Sequence, residues 1–215
     1  LYMQLDQKRD RSPFATGADG QPLEPSPLRD RRVRQAITHA LNRTAIAERA
    51  MEGAAEPAGQ FMPPGFVGHV ASIAPPAFDP ALSRRLLAEA GYPNGFGITL
   101  HCTNDRFAGD GRVCQTAGQM LTAIGLRAQV DAMPASVFFR RAGTATTDPD
   151  FSMLMSIFSA LPGTAAENMA SLLRTFDAAS GLGASNRGRY SNAELDRLLA
   201  TADATMDDAA RERLV

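Results

Sequence analysis

Three histidines, His39, His69 and His101, two cysteines, Cys102 and Cys114, and the acids Asp105 and Asp148 hold the catalytic chemistry this chain could perform. A hydrolase would need one of those acids to orient one of those histidines as a base, and that is the enzyme reading the sequence leaves open. The residues are scattered, however. There is no His-Glu-x-x-His, no Cys-x-x-Cys and no Gly-x-Ser-x-Gly. A metal held by His101, Cys102 and Cys114 would lack a second pair of ligands, so neither metal nor cofactor is expected. Pro93-Asn-Gly-Phe-Gly97 reads as a turn, because no Lys-Ser/Thr follows and no helix opens there. Arg29-Asp-Arg-Arg-Val-Arg34 and Arg140-Arg141 read as solvated helix faces, since the net charge is −1 and few aromatics interleave; no nucleic-acid partner is expected.

Binding suits the residues better than catalysis. Open α/β sheets receive ligands beyond the carboxyl ends of their strands. Here those ends lead into Thr103-Asn-Asp-Arg106 and Phe158-Ser159-Ala-Leu-Pro-Gly163. The second segment offers a ring, a hydroxyl and backbone amides to a peptide-like solute. Asn186-Arg187-Gly-Arg189-Tyr190 offers two guanidiniums that could hold a carboxylate bidentately, against the plainer reading of a surface turn.

The elements that must position these groups follow from periodicity. Val33, Ala36, Ile37, Ala40 and Leu41 form one apolar stripe, predicting a helix over about 33–41. A second helix is predicted over 43–52, with Gly53 as its stop. Residues 54–78 form a long loop, the length usually kept for binding or capping; if its apolar residues prove exposed, it is an interaction surface. Asp79-Pro80 opens a helix as N-cap and first residue, ending at Gly91. Strands are predicted at 2–5, 98–102, 126–130 and 151–157, and further helices at 112–124, 134–142, 167–175, 191–203 and from 206. Ser191 and Glu194 are spaced as a capping box. Strand, helix, strand, helix, strand across 98–157 implies a covered, largely parallel α/β sheet.

The chain has 215 residues, 44% of them hydrophobic, enough for one sizeable core. No apolar run approaches the length of a membrane span. It opens on Leu1 without a basic start or apolar h-region, and Val215 falls inside an unfinished helical pattern; we read it as a piece of a longer protein. The two cysteines are open to either reading, free thiols or a bridge contributing roughly 3 kcal/mol.

Arg29-Asp-x-Arg-Val-Arg-Gln-Ala-Ile37 followed by Asn42-Arg-x-Ala-Ile46 closely resembles the family 5 solute-binding proteins of peptide ABC transporters. Pro63-Pro-Gly65, Phe78-Asp-Pro80, Leu86-Leu-Ala-Glu-Ala-Gly-Tyr-Pro-Asn-Gly-Phe96 and Asn186-Arg-Gly-Arg-Tyr-Ser-Asn-Ala-Glu-Leu-Asp196 continue the resemblance in order. His101-Cys-Thr-Asn-Asp-Arg-Phe107 with Cys114-Gln resembles a subgroup in which the two cysteines are bridged. The resemblance implies a class II periplasmic-binding-protein-like α/β lobe with a mixed, mostly parallel sheet. Residues 1–32 would be a crossover segment from an absent first lobe, and 33–215 the second lobe, truncated at its C-terminus. It further implies a non-catalytic monomer, in the periplasm or lipid-anchored outside the cytoplasmic membrane, that closes on a peptide or related polar solute and docks on a membrane permease. Phe158, Ser159, Asn168, Arg187 and Arg189 would lie at or near the cleft. One departure stands out: where members carry Gly-Trp and then, in dipeptide binders, an Asp for the ligand ammonium, this chain has Ile157 and Ala160.

Overall fold

The computed structural model describes residues 1–143, 148–159 and 165–214. Its centre is a five-stranded sheet made of β1 (Tyr2–Leu5), β2 (Ala15–Thr16), β3 (Gly97–Thr103), β4 (Arg127–Met133) and β5 (Met153–Ser156). β3 pairs in parallel with β4 along its whole length, from Gly97↔Arg127 to Thr103↔Met133. That occupies one edge of β3. The other edge is shared by β2, antiparallel at Ile98↔Ala15, and β5, parallel at Leu100↔Met153 and His101↔Leu154. β1 then pairs antiparallel with β5, setting Tyr2 opposite Ser156 and Leu5 opposite Met153. β3, β4 and β5 are mutually parallel, and β1 and β2 run the other way.

Strand composition follows this order. β3 is buried at six of seven positions and β5 at all four; β5 is mostly apolar, whereas β3 alternates Ile98, Leu100 and Cys102 with Thr99, His101 and Thr103. β4 pairs with β3 alone among the described strands; it alternates exposed and half-buried over Arg127–Val130, then runs half-buried to the buried Met133.

The helices begin where side chains can satisfy the first free amides. Asp30 caps α1 (Arg31–Ala40) by accepting from the Arg32 amide at 2.8 Å. Asn42 caps α2 (Arg43–Ala45) through the Ala45 amide at 2.9 Å, and the chain continues as a π-helical turn, Ile46–Ala50. Asp79 caps α3 (Pro80–Glu89), with Pro80 at its first position as expected. The α1 stripe Val33, Ala36, Ile37 and Ala40 is buried against α3 and α4 (Asp110–Ala123). With Leu100, Cys102, Val113, Leu121 and Met153 these residues form the main core on one face of the sheet. On the other face, Phe138 of α5 (Ala135–Arg141) packs with Met133, Ala142, Phe151 and Leu154. A small third cluster, Ala166, Leu199 and Ala202, joins α6 (Ala165–Leu173) to α7 (Ala193–Asp203), with Leu214 beside it after α8 (Asp208–Glu212).

One local expectation is corrected. The cap of α7 is Asn192, which accepts from the Glu194 and Leu195 amides at 3.0 and 3.2 Å. Ser191 lies one residue too early and its hydroxyl bonds Thr175 instead at 2.8 Å. Cys102 and Cys114 are bridged, tying the end of β3 to the first turns of α4 with a Cα–Cα distance of 6.4 Å. Both are buried to within 1%.

Residues 6–14 are held to the strand lead-in by a buried polar knot. Ser12 donates to Asp6 at 2.7 Å and shares a hydrogen bond with the Ser152 hydroxyl, which accepts from the Phe14 amide at 2.8 Å. Arg9 adds contacts to the Asp6 carboxylate and to the carbonyls of Pro149 and Phe151. Residues 51–79 contain neither helix nor strand, as the run of glycines and prolines predicts.

Candidate functional site

The carboxyl ends of β3, β4 and β5 lie along one rim of the sheet, and because β1 runs antiparallel its first residue, Tyr2, lies on that rim too. Chain leaving β3 is fixed at once. The Asn104 amide donates to the Met133 carbonyl at 3.0 Å, and Asp105 accepts from the Ala135 amide at 2.6 Å. Ala135 is the first residue of α5, which has no side-chain cap of its own, so Asp105 supplies one from another element and its charge suits that helix end. This pins the residue before Arg106 to the helix carrying Phe139.

The result is a compact arrangement. The guanidinium carbons of Arg106 and Arg187 each lie 5.6 Å from the centre of the Phe139 ring, within the range of cation–π attraction. Neither forms an ion pair with a carboxylate among the described residues. Arg187 is positioned by Gln4 of β1. The Gln4 side chain accepts from the Arg187 amide at 2.9 Å and donates to the Ser185 carbonyl at 2.9 Å. Gly188 completes the fit, because a Cβ there would lie 2.6 Å from the Leu5 carbonyl oxygen. The Nε of Arg187 is buried without a hydrogen-bond partner among the described residues. Burial pushes the Tyr2 phenol above its ordinary 10.0, an effect the Arg187 charge and hydrogen bonding with Ser156 and Arg187 partly offset. Tyr2 is therefore a protonated donor at neutral pH.

Beside Tyr2 opens a cavity of 380 Å³ walled by Phe158, Phe61, Met62 and residues 56–60 of the long loop, with Glu56 the one acid among the described residues that line it. A second cavity of 260 Å³ runs along β1 against Leu172, Tyr190 and Leu195. The long loop exposes Phe66, Val67, Val70 and Ile73 to between 40% and 48%.

The structure separates the expected site residues. Phe158 lines the larger cavity, and Ser159 follows it, exposed. Ala160 and the rest of that segment to 163 lie outside the described residues, as does Val215. Asn168 is buried at 2% exposure within α6, where it is partnered. Arg187 and Arg189 turn to different rings. Arg189 is 8% exposed, donates to Asp148 at 2.9 Å and to the Asn186 carbonyl at 3.1 Å, and lies 3.6 Å from the Phe176 ring centre. Its hydrogen bond holds the Asp148 carboxyl below its usual 3.8, with Lys8 adding charge at 3.6 Å. Of that pair only Arg187 faces the strand-end rim.

Arg106, Phe139 and Tyr2 join the site without having been singled out. Arg106 had a signal, since it ends the segment that leaves β3. Phe139 and Tyr2 had none beyond their element assignments.

The acid and base candidates are committed elsewhere. Asp105 caps α5 and Asp148 pairs with Arg189. His39 bonds the Ala77 carbonyl at 2.8 Å and His69 the Met62 carbonyl at 2.9 Å. His101 is fully buried, stacked on Phe151 at 4.2 Å, with Nδ1 3.4 Å from the Met153 carbonyl and Nε2 3.7 Å from Asp131. Burial depresses its pKa below 6.5. The metal reading of His101 with the cysteines fails because both sulfurs are used in the bridge.

The chain matches the family described as bacterial extracellular solute-binding proteins, family 5, middle region, over residues 2–180. It is 34% identical over 192 residues to the glutathione-binding protein GsiB of Escherichia coli K12, covering 87% of this chain and 36% of that protein. The chain thus spans about a third of the curated relatives it matches. Its fold is that of the periplasmic binding protein DppA of Helicobacter pylori, solved with the peptide STSA, at TM-score 0.77 and 23% identity over 99% of this chain and 37% of that one. HbpA2 from Haemophilus parasuis gives TM-score 0.77 at 20% identity, covering 99% and 38%.

Proposed function

The chain belongs to the family 5 bacterial extracellular solute-binding proteins, and from that premise we propose that it is the second lobe of the binding component of an ABC importer. The solute is a peptide or related polar molecule carrying a carboxylate. It is gripped between this lobe and another, with residues 1–32 as part of the crossover between them. Ligand favours the closed state by touching both lobes, and a membrane permease reads closure. The protein works as a monomer in the periplasm or anchored by lipid outside the cytoplasmic membrane. Catalysis plays no part: these residues hold and release.

The observation that carries the reading is the Arg106–Phe139 pair at the carboxyl ends of the parallel strands. That is where open α/β sheets take ligands, and Arg106 presents a guanidinium fork there without a carboxylate partner among the described residues. A ring beneath it fixes the fork without neutralising it. The exposed Phe66, Val67, Val70 and Ile73 suit a loop that faces the other lobe across the same opening.

Calorimetry on the full-length protein tests the proposal. Peptides with a free C-terminal carboxylate should bind, and Arg106→Ala should weaken them about 10–100-fold, the worth of a charge-assisted hydrogen bond of about 1.5–3 kcal/mol. Undiminished binding by Arg106→Ala would remove this site from the reading.

A further inference from the structure

The arginines at the rim leave the 380 Å³ cavity beside Tyr2 unexplained, and its volume is that of a small-molecule pocket. Residues 56–75 build most of its wall. They contain neither helix nor strand, yet they are cross-tied. Gln60 donates to the Val70 carbonyl at 2.8 Å and accepts from the Val70 amide at 2.9 Å. His69 Nδ1 donates to the Met62 carbonyl at 2.9 Å. Gly59 lies so close to the returning limb of the loop that a Cβ there would sit 2.4 Å from the Ala74 carbonyl oxygen. The cavity is therefore a shaped one.

Its lining is of two kinds. Tyr2, Phe61 and Phe158 bring three rings, the first two edge to face at 6.1 Å between centres, and prolines and Ile73 add aliphatic surface. The side-chain polar atoms that remain uncommitted are acceptors. Gln60 holds Val70 with both ends of its amide. The Tyr2 hydroxyl is engaged with Ser156 and Arg187. A carbonyl can only accept, so the His69 proton is at Nδ1 and the neutral ring keeps a lone pair at Nε2. Glu56 is exposed and forms no ion pair among the described residues. Neither Lys nor Arg is among the described residues that line the cavity. A ring-walled space that can only accept hydrogen bonds calls for a donor carried on an apolar stem.

We infer that this cavity is a side-chain pocket for a basic residue of the solute. The alkyl stem lies against Phe61 and Phe158, and the ammonium or guanidinium at its tip is received by Glu56, with His69 a second acceptor on the same wall. Long basic side chains bury their stems on apolar surface while the head stays at a polar edge, and the rings attract the cation as well as the stem. The inference rests on the proposed binding function and adds a cationic feature to the carboxylate received by Arg106. An uncharged chain of equal length would leave the carboxylate unused, and an acidic one would be repelled by it.

Calorimetry on the full-length protein tests this with trialanine and with tripeptides in which one alanine at a time becomes lysine, norleucine or glutamate. Norleucine keeps the stem and drops the charge. At one position lysine should bind about fivefold more tightly than norleucine, the upper end of what an ion pair to an exposed carboxylate supplies, and glutamate should be the weakest of the three. Glu56→Gln, at an exposed loop position, should bring the lysine and norleucine peptides to within about twofold of each other, and Glu56→Asp should keep part of the gap. Phe158→Ala should weaken both peptides alike toward trialanine, because it removes surface under the stem they share. The inference is overturned if norleucine binds as tightly as lysine at every position, or if Glu56→Gln weakens both and leaves their ratio standing. Trialanine binding with no preference for lysine overturns the basic pocket alone. Failure of every peptide, trialanine included, overturns the proposed solute as well.

Discussion

The bridge between Cys102 and Cys114 gives a direct test of how this lobe is held in shape. The cysteines are 12 residues apart in sequence, so the bond closes a short loop that the unfolded chain would otherwise explore. In the chain-entropy account such a loop is worth about 3 kcal/mol at 25 °C. For a chain of this size that is a shift in midpoint of roughly 6–12 °C. The assay is thermal or urea unfolding of the wild-type protein, oxidised and after reduction under denaturing conditions followed by refolding in reductant. This comparison leaves the core volume nearly unchanged. The Cys102→Ala/Cys114→Ala variant should lose more, because both sulfurs are buried to within 1% and removing each leaves a small void costing about 1 kcal/mol. The bridge lies immediately before the segment that carries Asp105 and Arg106, so reduced protein should also bind its solute more weakly. If reduced and oxidised protein unfold within about 1 kcal/mol of each other, the loop-entropy reasoning fails here.

Two further outcomes follow from the packing. His101 has its pKa depressed by burial, so the unfolded chain takes up this proton more readily than the folded one. Its contribution to stability is complete above pH 6.5, declines as pH falls below that value and is lost through the lower folded pKa. Urea titrations from pH 8 to pH 5 should show this slope, and His101→Phe should flatten it; an unchanged slope would acquit His101. Gly188→Ala sets a Cβ 2.6 Å from the Leu5 carbonyl oxygen, and since that neighbour is backbone the loop must move. We expect a loss of about 1–3 kcal/mol in stability, with weakened solute binding because Arg187 shifts with the loop. Wild-type affinity in calorimetry would show that the Gln4 bracket does not position Arg187.

Much of the fold was legible because its signals are local. The α1 stripe, the cap Asp79, and the stops at Gly53 and Gly91 each concern residues within a few positions of one another. β3 announces itself by alternating Ile98, Leu100 and Cys102, and β5 as a short apolar run. β2 does not: two residues, Ala15 and Thr16, carry no period, and they pair only because β3 has room beyond the end of β5. Ser191 had capping-box spacing, yet the helix starts one residue later because Thr175 takes the Ser191 hydroxyl. The candidate site was legible only as a place. Arg187 and Arg189 share one motif, but Arg189 goes to Asp148 and Phe176 while Arg187 goes to Phe139, and no neighbour in sequence distinguishes them.

Sequence by itself determined the α/β class, the order and rough extent of its elements, the family likeness and the thinness of any catalytic inventory, since each depends on residue type and short-range spacing. Only the tertiary structure decided which charges are paired inside the fold and which lie without a carboxylate partner among the described residues. Residues 2, 106, 139 and 187 come from four separated stretches of chain, and they meet because parallel strands must end on one rim and an antiparallel strand must begin there. That juxtaposition is a property of strand order, which hydrogen bonding between distant segments sets and residue spacing does not encode.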